Sequence, residues 1–388
     1  MKRRTISFLF SLLIFVSGCS SDKQSDEGLV SIDVLKDYPE KEIILTDIAD
    51  INYIHLNTKN KDYRYEGEIN YVSKNTIVIN DIISGSILFF SKDGTPKSSF
   101  NHYGNGPKEY SFRGWSKYKS ISQLLYDEKA DEVFIYNNQN FIRVYNSTGK
   151  YLRTIKLPQD RVYCFNFFDN QTLIVYFARF FFLISRTNGK VIEYIEIPFG
   201  DADTSMKNID KRGYHYTSVM MGHRIIKCKE GYYLCNPESD TVFLYNKNKN
   251  LTPAIFKTPL MNDLDPMIAL DNCWDVGKYQ FLRLHTRHLS NETENPEYPD
   301  RYYIRDKKTG EVFRQKIILP DYRGKELCIF PVSDRDFHEK SNLIHFELDL
   351  AELKEAYREN KLSGKLKTLV ASLDEHKDNN VFMFVEFK

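Results

Sequence analysis

Short apolar and aromatic runs alternate with polar turns along most of the chain, and the runs come in pairs. In each pair, one strand-like segment is followed by a brief turn, a second segment that ends in Phe or Tyr, and a polar turn that usually contains glycine. Runs of this length and composition predict β-strands. The pattern therefore predicts antiparallel pairs, with glycine supplying the positive φ of the turns.

The pair recurs along the chain. The closing turns at Gly94, Gly149, Gly189, Lys249 and Gly310 are spaced by roughly 40 to 60 residues, which fits a four-stranded blade with loops of variable length. Further strands are predicted after three of these turns, at 151–155, 191–195 and 312–317. The paired segments are 76–80 with 87–94, 132–136 with 142–150, 172–176 with 181–190, 232–235 with 241–246, and 279–284 with 302–311; a sixth copy opens at 343–348.

Six similar units without a linker between them predict an all-β fold, a closed six-bladed β-propeller, over the alternatives of a β-sandwich or several small β domains. Leu350 to Glu359 and Lys365 to Glu375 carry apolar residues at helical spacing and predict a short helical excursion in the last blade. The C-terminal strand 381–387 and an N-terminal strand, 43–45 or 53–56, are expected to complete that blade. Such closure removes exposed sheet edges.

The first 19 residues follow the plan of a bacterial export signal. A basic start at 2–4 precedes an apolar run from Ile6 to Val16 that is too short to span a bilayer. The run ends in VSGC, which resembles a lipobox, in which the peptide is cut before the cysteine and the cysteine is acylated. We therefore expect stable anchoring by lipid on Cys19, the alternative being an ordinary signal peptide with a chance cysteine.

The predicted organisation is a signal peptide at 1–18, a lipidated cysteine with a flexible tether at 19–40, and the propeller domain at 41–388. Ser20, not aspartate, follows the cysteine. By resemblance to Gram-negative sorting signals, this favours an outer-membrane lipoprotein that faces the periplasm or the cell surface.

Composition narrows the function classes. The 41% apolar residues exclude wholesale disorder, and 26 Tyr, 27 Phe and 2 Trp fit a β-rich core. The charge of +1 becomes −2 once the three basic leader residues are removed, because 51 basic residues then face 53 acidic ones. A near-neutral body predicts no nucleic-acid partner.

Besides Cys19 the chain has five cysteines, so at least one is unpaired. Cys228 and Cys235 flank a turn; if Glu230 and Gly231 form it, Cys228 faces Tyr233 and a disulfide between the two is disfavoured. No Cys-x-x-Cys motif supports zinc or redox chemistry. We expect the five to be small buried residues.

Three features resemble the six-bladed β-propeller lipoproteins common in Bacteroidetes, relatives of NHL-repeat propellers. The first is FNHYGNGPKEY at 100–110, similar to the family's Gly-x-Gly-Pro-x-Glu-Tyr signature, with Asn105 where a basic residue is usual. The others are FSKDG at 90–94 and the ending, with LDE at 373–375, DNNV at 378–381 and a last apolar strand. The family often has proline at the place of Asn380. The resemblance covers the mature chain and implies the fold more than a function.

Several local motifs carry no catalytic prediction. The Gly104-Asn105-Gly106 turn lacks the strand and helix of a phosphate cradle, so Gly104, Gly106, Pro107, Glu109 and Tyr110 are predicted to form a structural turn in which Glu109 caps backbone amides. His285 and His288 would point to opposite faces of a strand, so no metal site is predicted. No hydrolase motif occurs, and no cofactor or catalytic residue is assigned.

Candidate ligand contacts lie in the least repetitive stretches. The link from Gly200 to Arg224 is too long and too apolar for a spacer, although it is also compatible with a loop packed over a blade seam. Arg113 and Trp115, separated by one glycine, suit stacking against a sugar or aromatic ligand, although packing of the tryptophan between blades is the favoured alternative. The predicted ligand face comprises Arg113, Trp115, His215, Tyr216, Arg283 and His285.

The sequence thus predicts a lipid-anchored binding or scaffold propeller, with a glycan, peptide or partner protein as ligand, rather than an enzyme. The alternative is a lactonase-like hydrolase or lyase with its site at the mouth of the central channel. Acids and histidines converging on the channel would favour the enzyme, and a channel plugged by Tyr and Phe would count against it.

Overall fold

The structure, a computed structural model, describes residues 29–111, 117–158, 162–177, 180–198, 205–209, 215–219, 225–236, 238–286, 300–329 and 337–388. Its strands form seven sheets: six blades, here called blades 1 to 6 in chain order, as the sequence pattern predicts, and a separate two-stranded hairpin. In blades 1 to 5 the strands follow one another outward from the channel, each antiparallel to the last.

The N-terminal segment supplies strands to three different blades. It contains β1 (Val30–Asp33), β2 (Glu40–Ile44), the short helix α1 (Leu45–Ile48) and β3 (Ala49–His55). Strand β1 adds to the outer edge of blade 4 and β2 to that of blade 5, both in parallel.

This segment corrects the predicted tether at 19–40, because the fold already includes its end. Ile32 and Val34 are only 1% and 0% exposed and belong to the core. The domain therefore reaches back to at least Val30 instead of beginning at residue 41, since burial of these apolar side chains stabilises the added strand.

Blades 1 to 3 each contain four strands in sequence, and blade 1 is preceded by a short 3-10 helix at Lys61–Tyr63. The strands are β4 (Ile69–Val72), β5 (Thr76–Asn80), β6 (Ile87–Ser91), β7 (Pro96–Phe100), β8 (Gln123–Asp127), β9 (Glu132–Tyr136), β10 (Phe141–Tyr145), β11 (Tyr151–Lys156), β12 (Cys164–Phe167), β13 (Thr172–Phe177), β14 (Phe180–Ser185) and β15 (Val191–Ile195).

The link from blade 3 to blade 4 contains a hairpin that the sequence pattern did not predict. Strand β16 (Ser205–Ile209) pairs with β17 (His215–Val219) in antiparallel register, with Ile209 opposite His215. The link is therefore not simply a loop.

Blades 4 and 5 follow the same plan, with a 3-10 helix at Met261–Asp263 between them and a short strand β26 (Glu326–Leu327) that pairs with the end of β25. Their strands are β18 (Ile225–Lys227), β19 (Gly231–Leu234), β20 (Thr241–Asn246), β21 (Leu251–Thr258), β22 (Ile268–Val276), β23 (Tyr279–Thr286), β24 (Asp300–Asp306) and β25 (Val312–Ile318).

Blade 6 joins the two ends of the chain. Strand β28 (Leu343–Leu348) pairs with the C-terminal β29 (Val381–Phe387), and β29 pairs with the N-terminal β3. The two-residue β27 (Phe337–His338) runs beside β4 of blade 1 in parallel, and the rings of His338 and His345 are in contact. Of the two N-terminal strands considered from the sequence, the one at 53–56 therefore completes this blade.

The predicted helical excursion lies between β28 and β29. Helix α2 (Leu350–Arg358) begins at Asp349, whose side chain accepts a hydrogen bond from the Glu352 amide, and α3 (Gly364–Ser372) follows. Leu353, Leu366 and Val370 are buried, so the helices pack their apolar faces on the protein.

The core lies between the blades, where middle strands are buried on both sides. All five residues of β5 are buried, and so are four of the five in β6. The closing turns confirm the predicted repeat: Gly94, Gly149 and Gly189 have φ of +86°, +85° and +79°, and Lys249 takes the same role in blade 4 with φ of +64°.

The five cysteines described are free. The Cys228 amide donates to the Gly231 carbonyl, so Lys229 and Glu230 form the turn, not Glu230 and Gly231. Cys328 is exposed, which corrects the expectation that all five are buried; the other four are.

Candidate functional site at the channel mouth

The first turn of each blade lies at the same end of the ring, because the innermost strands share one direction. We call this the inner-turn end; its turns are 73–75, 128–131, 168–171, 228–230, 277–278 and 339–342. The opposite end, which carries the turns between second and third strands and the links between blades, is called the link end.

A cavity of about 960 Å³ opens at the inner-turn end. Inner turns of five blades line it, together with side chains from the strands beneath. These turns contribute Lys74 and Asn75, residues 127–129, residues 168–170, Cys228 and Lys229, and residues 339–342. Because the ring brings together turns that are far apart in sequence, the mouth is the natural place for a composite site.

The carboxylates of blade 2 that line this mouth are held by nearby donors. Asp127 lies 2.9 Å from the Arg186 guanidinium. Glu128 accepts hydrogen bonds from the Thr76 hydroxyl at 2.6 Å and the Asn75 amide at 3.0 Å. Burial would raise the pKa of Glu128, but the hydrogen bonds outweigh it and hold the pKa below its usual value.

The other carboxylates of the mouth are also engaged. Asp169 accepts from the backbone amides of Gln171 and Thr172, at 2.7 and 2.8 Å, and so fixes its own turn. Glu339 accepts from the Lys74 amide at 2.6 Å, and Glu386 forms an ion pair with Lys340. These carboxylates therefore already accept hydrogen bonds or form ion pairs within the protein.

Several lysines of the mouth are not engaged in this way. Lys74, Lys129, Lys229 and Lys247 are exposed, and none has a carboxylate within ion-pair distance among the described residues. Lys227 is half-buried and donates to the Glu339 carbonyl at 2.8 Å; burial lowers its pKa. Among the described residues, the charged side chains of the mouth that have no ion-pair partner are therefore mainly lysines. Their positive charge suits a ligand with anionic groups.

Aromatic rings line this mouth without filling it. Tyr71, Tyr126 and Tyr232 are buried, while Phe167 and Phe168 are half-buried. The channel is thus not plugged by Tyr and Phe at this end. In the part of the chain that the structure describes, no group of three His, Cys, Asp or Glu residues is placed to hold a metal ion.

Arg283 and His285, predicted as ligand contacts, lie together on β23 towards the link end. His285 lies opposite Asp300 on β24 and forms a hydrogen bond with it, and Arg283 lies 3.9 Å from the same carboxylate. The Tyr302 hydroxyl donates to Asp300 at 2.9 Å. Burial would raise the pKa of Asp300, but His285 and Arg283 together hold it below its usual value.

The side chains of the other predicted ligand contacts are outside the part of the chain that the structure describes. His215 and Tyr216 lie on β17, for which only the backbone is described. Cys19, Arg113 and Trp115 lie outside the described residues.

The predicted structural turn joins blades 1 and 2. The Glu109 carboxylate accepts from the Gly106 amide at 2.7 Å, and a Cβ added at Gly104 would collide with that carboxylate.

Pro107 is exposed, and the Lys108 carbonyl accepts from the Tyr145 hydroxyl of blade 2 at 2.5 Å. Tyr110 is buried and donates to the Gly85 carbonyl at 2.8 Å. These contacts are internal, as a structural role requires.

The charged residues of the mouth were missed by the sequence analysis. Many of them stand in the turn between the first and second strands of a blade, such as Lys74 before β5 and Glu128 and Lys129 before β9, and resemble ordinary solvated turn residues. Their recurrence at one place in the repeat was the available signal, because a ring brings equivalent positions together.

The comparisons with known proteins agree with this architecture. The profile of a family described as 6-bladed beta-propeller matches residues 20–289. The crystal structure of a Bacteroides fragilis protein described as exported is similar at 16% identity, with a TM-score of 0.60, covering 93% of this chain and 99% of that one. The RRP9 WD40 repeats reach 10% identity and a TM-score of 0.43, covering 87% of this chain and 98% of theirs. No curated protein matches the chain.

Among the described residues, no helix is both long enough and apolar enough to cross a membrane.

Proposed function

Because the chain belongs to the family described as 6-bladed beta-propeller, we propose that it is a lipid-anchored, extracytoplasmic propeller that binds a ligand at the mouth of its channel. The observation that carries the binding role is the 960 Å³ cavity, where the acids are fixed by internal partners and exposed lysines are left unpaired. A largely preformed site binds its ligand without a large loss of conformational entropy from ordering loops.

The proposed location depends on the leader and on the structural neighbour. The basic start, the apolar run and the lipobox end in Cys19, and the similar Bacteroides fragilis protein is described as exported. Two or more acyl chains give stable anchoring, whereas one chain is marginal. The protein would then present its propeller on the outer membrane, towards the periplasm or the cell surface.

Replacement of the cysteine tests the anchor. Cys19→Ala should block acylation and cleavage by the lipoprotein peptidase, since both need the thiol, and leave uncleaved precursor in the inner membrane or released material. The propeller should still fold, because the first buried side chain among the described residues is that of Ile32, well beyond Cys19 in the sequence. A variant that still fractionates with the outer membrane and incorporates labelled palmitate would contradict the anchor.

An affinity survey tests the binding role. Full-length protein in mild detergent is presented with periplasmic and surface extracts and a glycan array, beside the double variant Lys229→Glu/Lys247→Glu. The control is Lys365→Glu, an exposed lysine in the first turn of α3, where an acidic residue suits the helix dipole. We expect a ligand that the wild type and the control retain and the double variant loses.

The same survey tests the earlier expectations. Retention by the double variant, with loss on replacing link-end residues, would move the site to the predicted ligand face. Turnover of a captured lactone or glycan would favour the enzyme alternative. The variants used for this comparison are alanine replacements of the predicted ligand face, Arg113, Trp115, His215, Tyr216, Arg283 and His285.

A further inference from the structure

The channel mouth adjoins two smaller cavities at the inner-turn end. A cavity of about 290 Å³ at blades 6 and 1 shares Lys74, Lys340 and Glu386 with it. A cavity of about 530 Å³ at blades 2 and 3 shares residues such as Lys129 and Arg186. The three cavities share lining residues and are together called the inner-turn trough, which runs from the blade 6–1 seam through the mouth to the blade 2–3 seam.

Unpaired positive charges occur along the whole of this trough. Lys92 stands at the blade 6–1 end, with its Nζ 5.0 Å from the Phe384 ring and no carboxylate within ion-pair distance among the described residues. Lys74, Lys229 and Lys247 follow around the mouth, and Lys129 stands where the trough continues to the blade 2–3 seam.

The carboxylates at the two ends of the trough also have cationic partners, through partly buried contacts at Glu132 and an exposed contact at Asp50. Glu132 lies 2.5 Å from Arg153 and 2.7 Å from Arg186, and Asp50 lies 3.8 Å from Lys388. A ligand that enters the trough therefore meets unpaired lysines over its full length and no unpaired carboxylate among these residues.

The lining favours a sugar chain over a peptide. Peptides that lie across a β protein commonly add a strand to an exposed sheet edge, whereas the described lining of the mouth consists largely of turns. It offers the side-chain amide of Asn170, the hydroxyl of Ser341 and a half-buried ring at Phe168, whereas the Asn75 and Asn342 amides already donate to Glu128 and to the Phe387 carbonyl. Amides and hydroxyls match sugar hydroxyls, and a ring face suits stacking against a sugar.

We infer that the inner-turn trough binds a linear polysaccharide carrying carboxylate or sulfate groups, which lies across the ring with several residues in contact at once. This inference rests on the proposed function and names its ligand class. An extended ligand gains from contacts at both ends of the trough that a short fragment cannot reach.

The test measures dissociation constants of the full-length protein in neutral detergent for polygalacturonate, for heparin, and for a galacturonate trisaccharide that can occupy the mouth alone. Neutral dextran and poly-L-glutamate are the comparison polymers. The test variant is Lys92→Gln/Lys129→Gln, which removes one charge near each end of the trough. The matched control is Lys365→Gln, and Lys129→Gln alone, at an exposed residue, serves if the double variant does not fold.

We expect polygalacturonate or heparin to bind, more weakly as salt increases. The end variant should lose roughly tenfold in affinity for that polymer and less than about twofold for the trisaccharide, since each surface charge contributes a few-fold. The control should match the wild type. Tighter binding of heparin than of polygalacturonate would identify sulfate as the preferred group, and the reverse would identify carboxylate.

Equal binding of dextran, binding of poly-L-glutamate as tight as that of the polysaccharides, or an end variant with unchanged polymer affinity would each overturn the inference. The proposed function fails separately. If the survey finds a ligand of another class that Lys229→Glu/Lys247→Glu loses, the binding site stands and only the ligand class falls. If that double variant loses nothing, both fall.

Discussion

The two ends of the ring use charge in opposite ways. At the link end, Arg283 and His285 converge on the single carboxylate of Asp300, which also accepts from Tyr302. At the inner-turn end, the acids are paired within the protein while Lys74, Lys129, Lys229 and Lys247 are left over. The charges of this cluster serve the fold, and the lysines without an ion pair among the described residues of the inner-turn end are available to a ligand.

The difference follows from how each end is built. The mouth is lined by short inner turns from five of the six blades, so side chains from equivalent positions in the repeat are brought together there. The Arg283, His285, Asp300 and Tyr302 side chains come from two adjacent strands of one blade and meet their partners locally. In this ring, the paired charges of the cluster therefore lie near one end of the strands, and the lysines without ion pairs among the described residues lie near the other.

The largest effect on stability is expected from replacing Arg186, which lines the mouth and pairs with two carboxylates of blade 2. Its guanidinium is 8% exposed, touches Asp127 and Glu132, and lies over the rings of Phe134 and Phe167. Arg186→Met would leave two carboxylates without this partner and should lower the free energy of unfolding by about 3 kcal/mol. Urea denaturation measures it.

Arg186→Lys is the matched variant for this prediction. A lysine keeps the charge but not the planar fork, so an intermediate loss is expected. If Arg186→Met unfolds at the same urea concentration as the wild type, the ion pairs at this seam do not support the fold. The claim that the acids of the inner-turn end are held by partners within the protein would then fail.

The link-end cluster should show a smaller, pH-dependent effect. Asp300→Asn should lower the free energy of unfolding by about 1 kcal/mol at pH 7, because the ionised carboxylate is stabilised by His285 and Arg283. The folded-state pKa of Asp300 lies below its unfolded value, so its contribution is complete above the unfolded pKa of about 3.9 and is lost as the pH falls through the folded pKa. The difference from wild type should therefore shrink below about pH 4.

Thermal unfolding of both proteins between pH 3 and pH 7 measures this dependence. Glu311→Gln is a control, since its ion pair with Lys41 is exposed on both sides and contributes little. A gap between wild type and Asp300→Asn that widens in acid would refute the assigned role.

The smallest effect concerns Lys92 at the end of the trough. Burial lowers its pKa to about 8, so the folded protein binds fewer protons than the unfolded chain between about pH 8 and 10.5. The stability of the wild type relative to Lys92→Met should rise with pH across that window, by less than about 1 kcal/mol because the side chain is half-buried. Parallel melting curves of the two proteins test it; a relative stability that falls with pH would contradict it.

The sequence predicted the six-bladed ring because the second and third strands of each blade are long enough to show their pattern and end in turns with positive φ, at Gly94, Gly149 and Gly189. It missed the innermost strands of blades 1 to 5, from the three-residue β18 to the nine-residue β22. It also missed β1, whose parallel pairing with β21 joins residues far apart in sequence.

The site was less predictable than the fold for a physical reason. Lys74, Lys129 and Lys229 share a mouth only because ring closure brings their turns together, which no local pattern encodes. Arg283 and His285 were singled out as residue types that suit a ligand, but Asp300, their partner, lies across the strand pair and beyond a long connection. Residue type alone therefore pointed to the link end, where Arg283 and His285 are already engaged with Asp300.

Hydrogen exchange with and without bound polygalacturonate tests most directly whether the ligand occupies the inner-turn end. The account predicts slower exchange at amides of the inner turns, above all 73–75, 128–130, 168–170 and 339–342, and unchanged exchange at link-end turns such as 81–86 and 137–140. Protection confined to the link-end turns, with the inner turns exchanging as in the free protein, would contradict it.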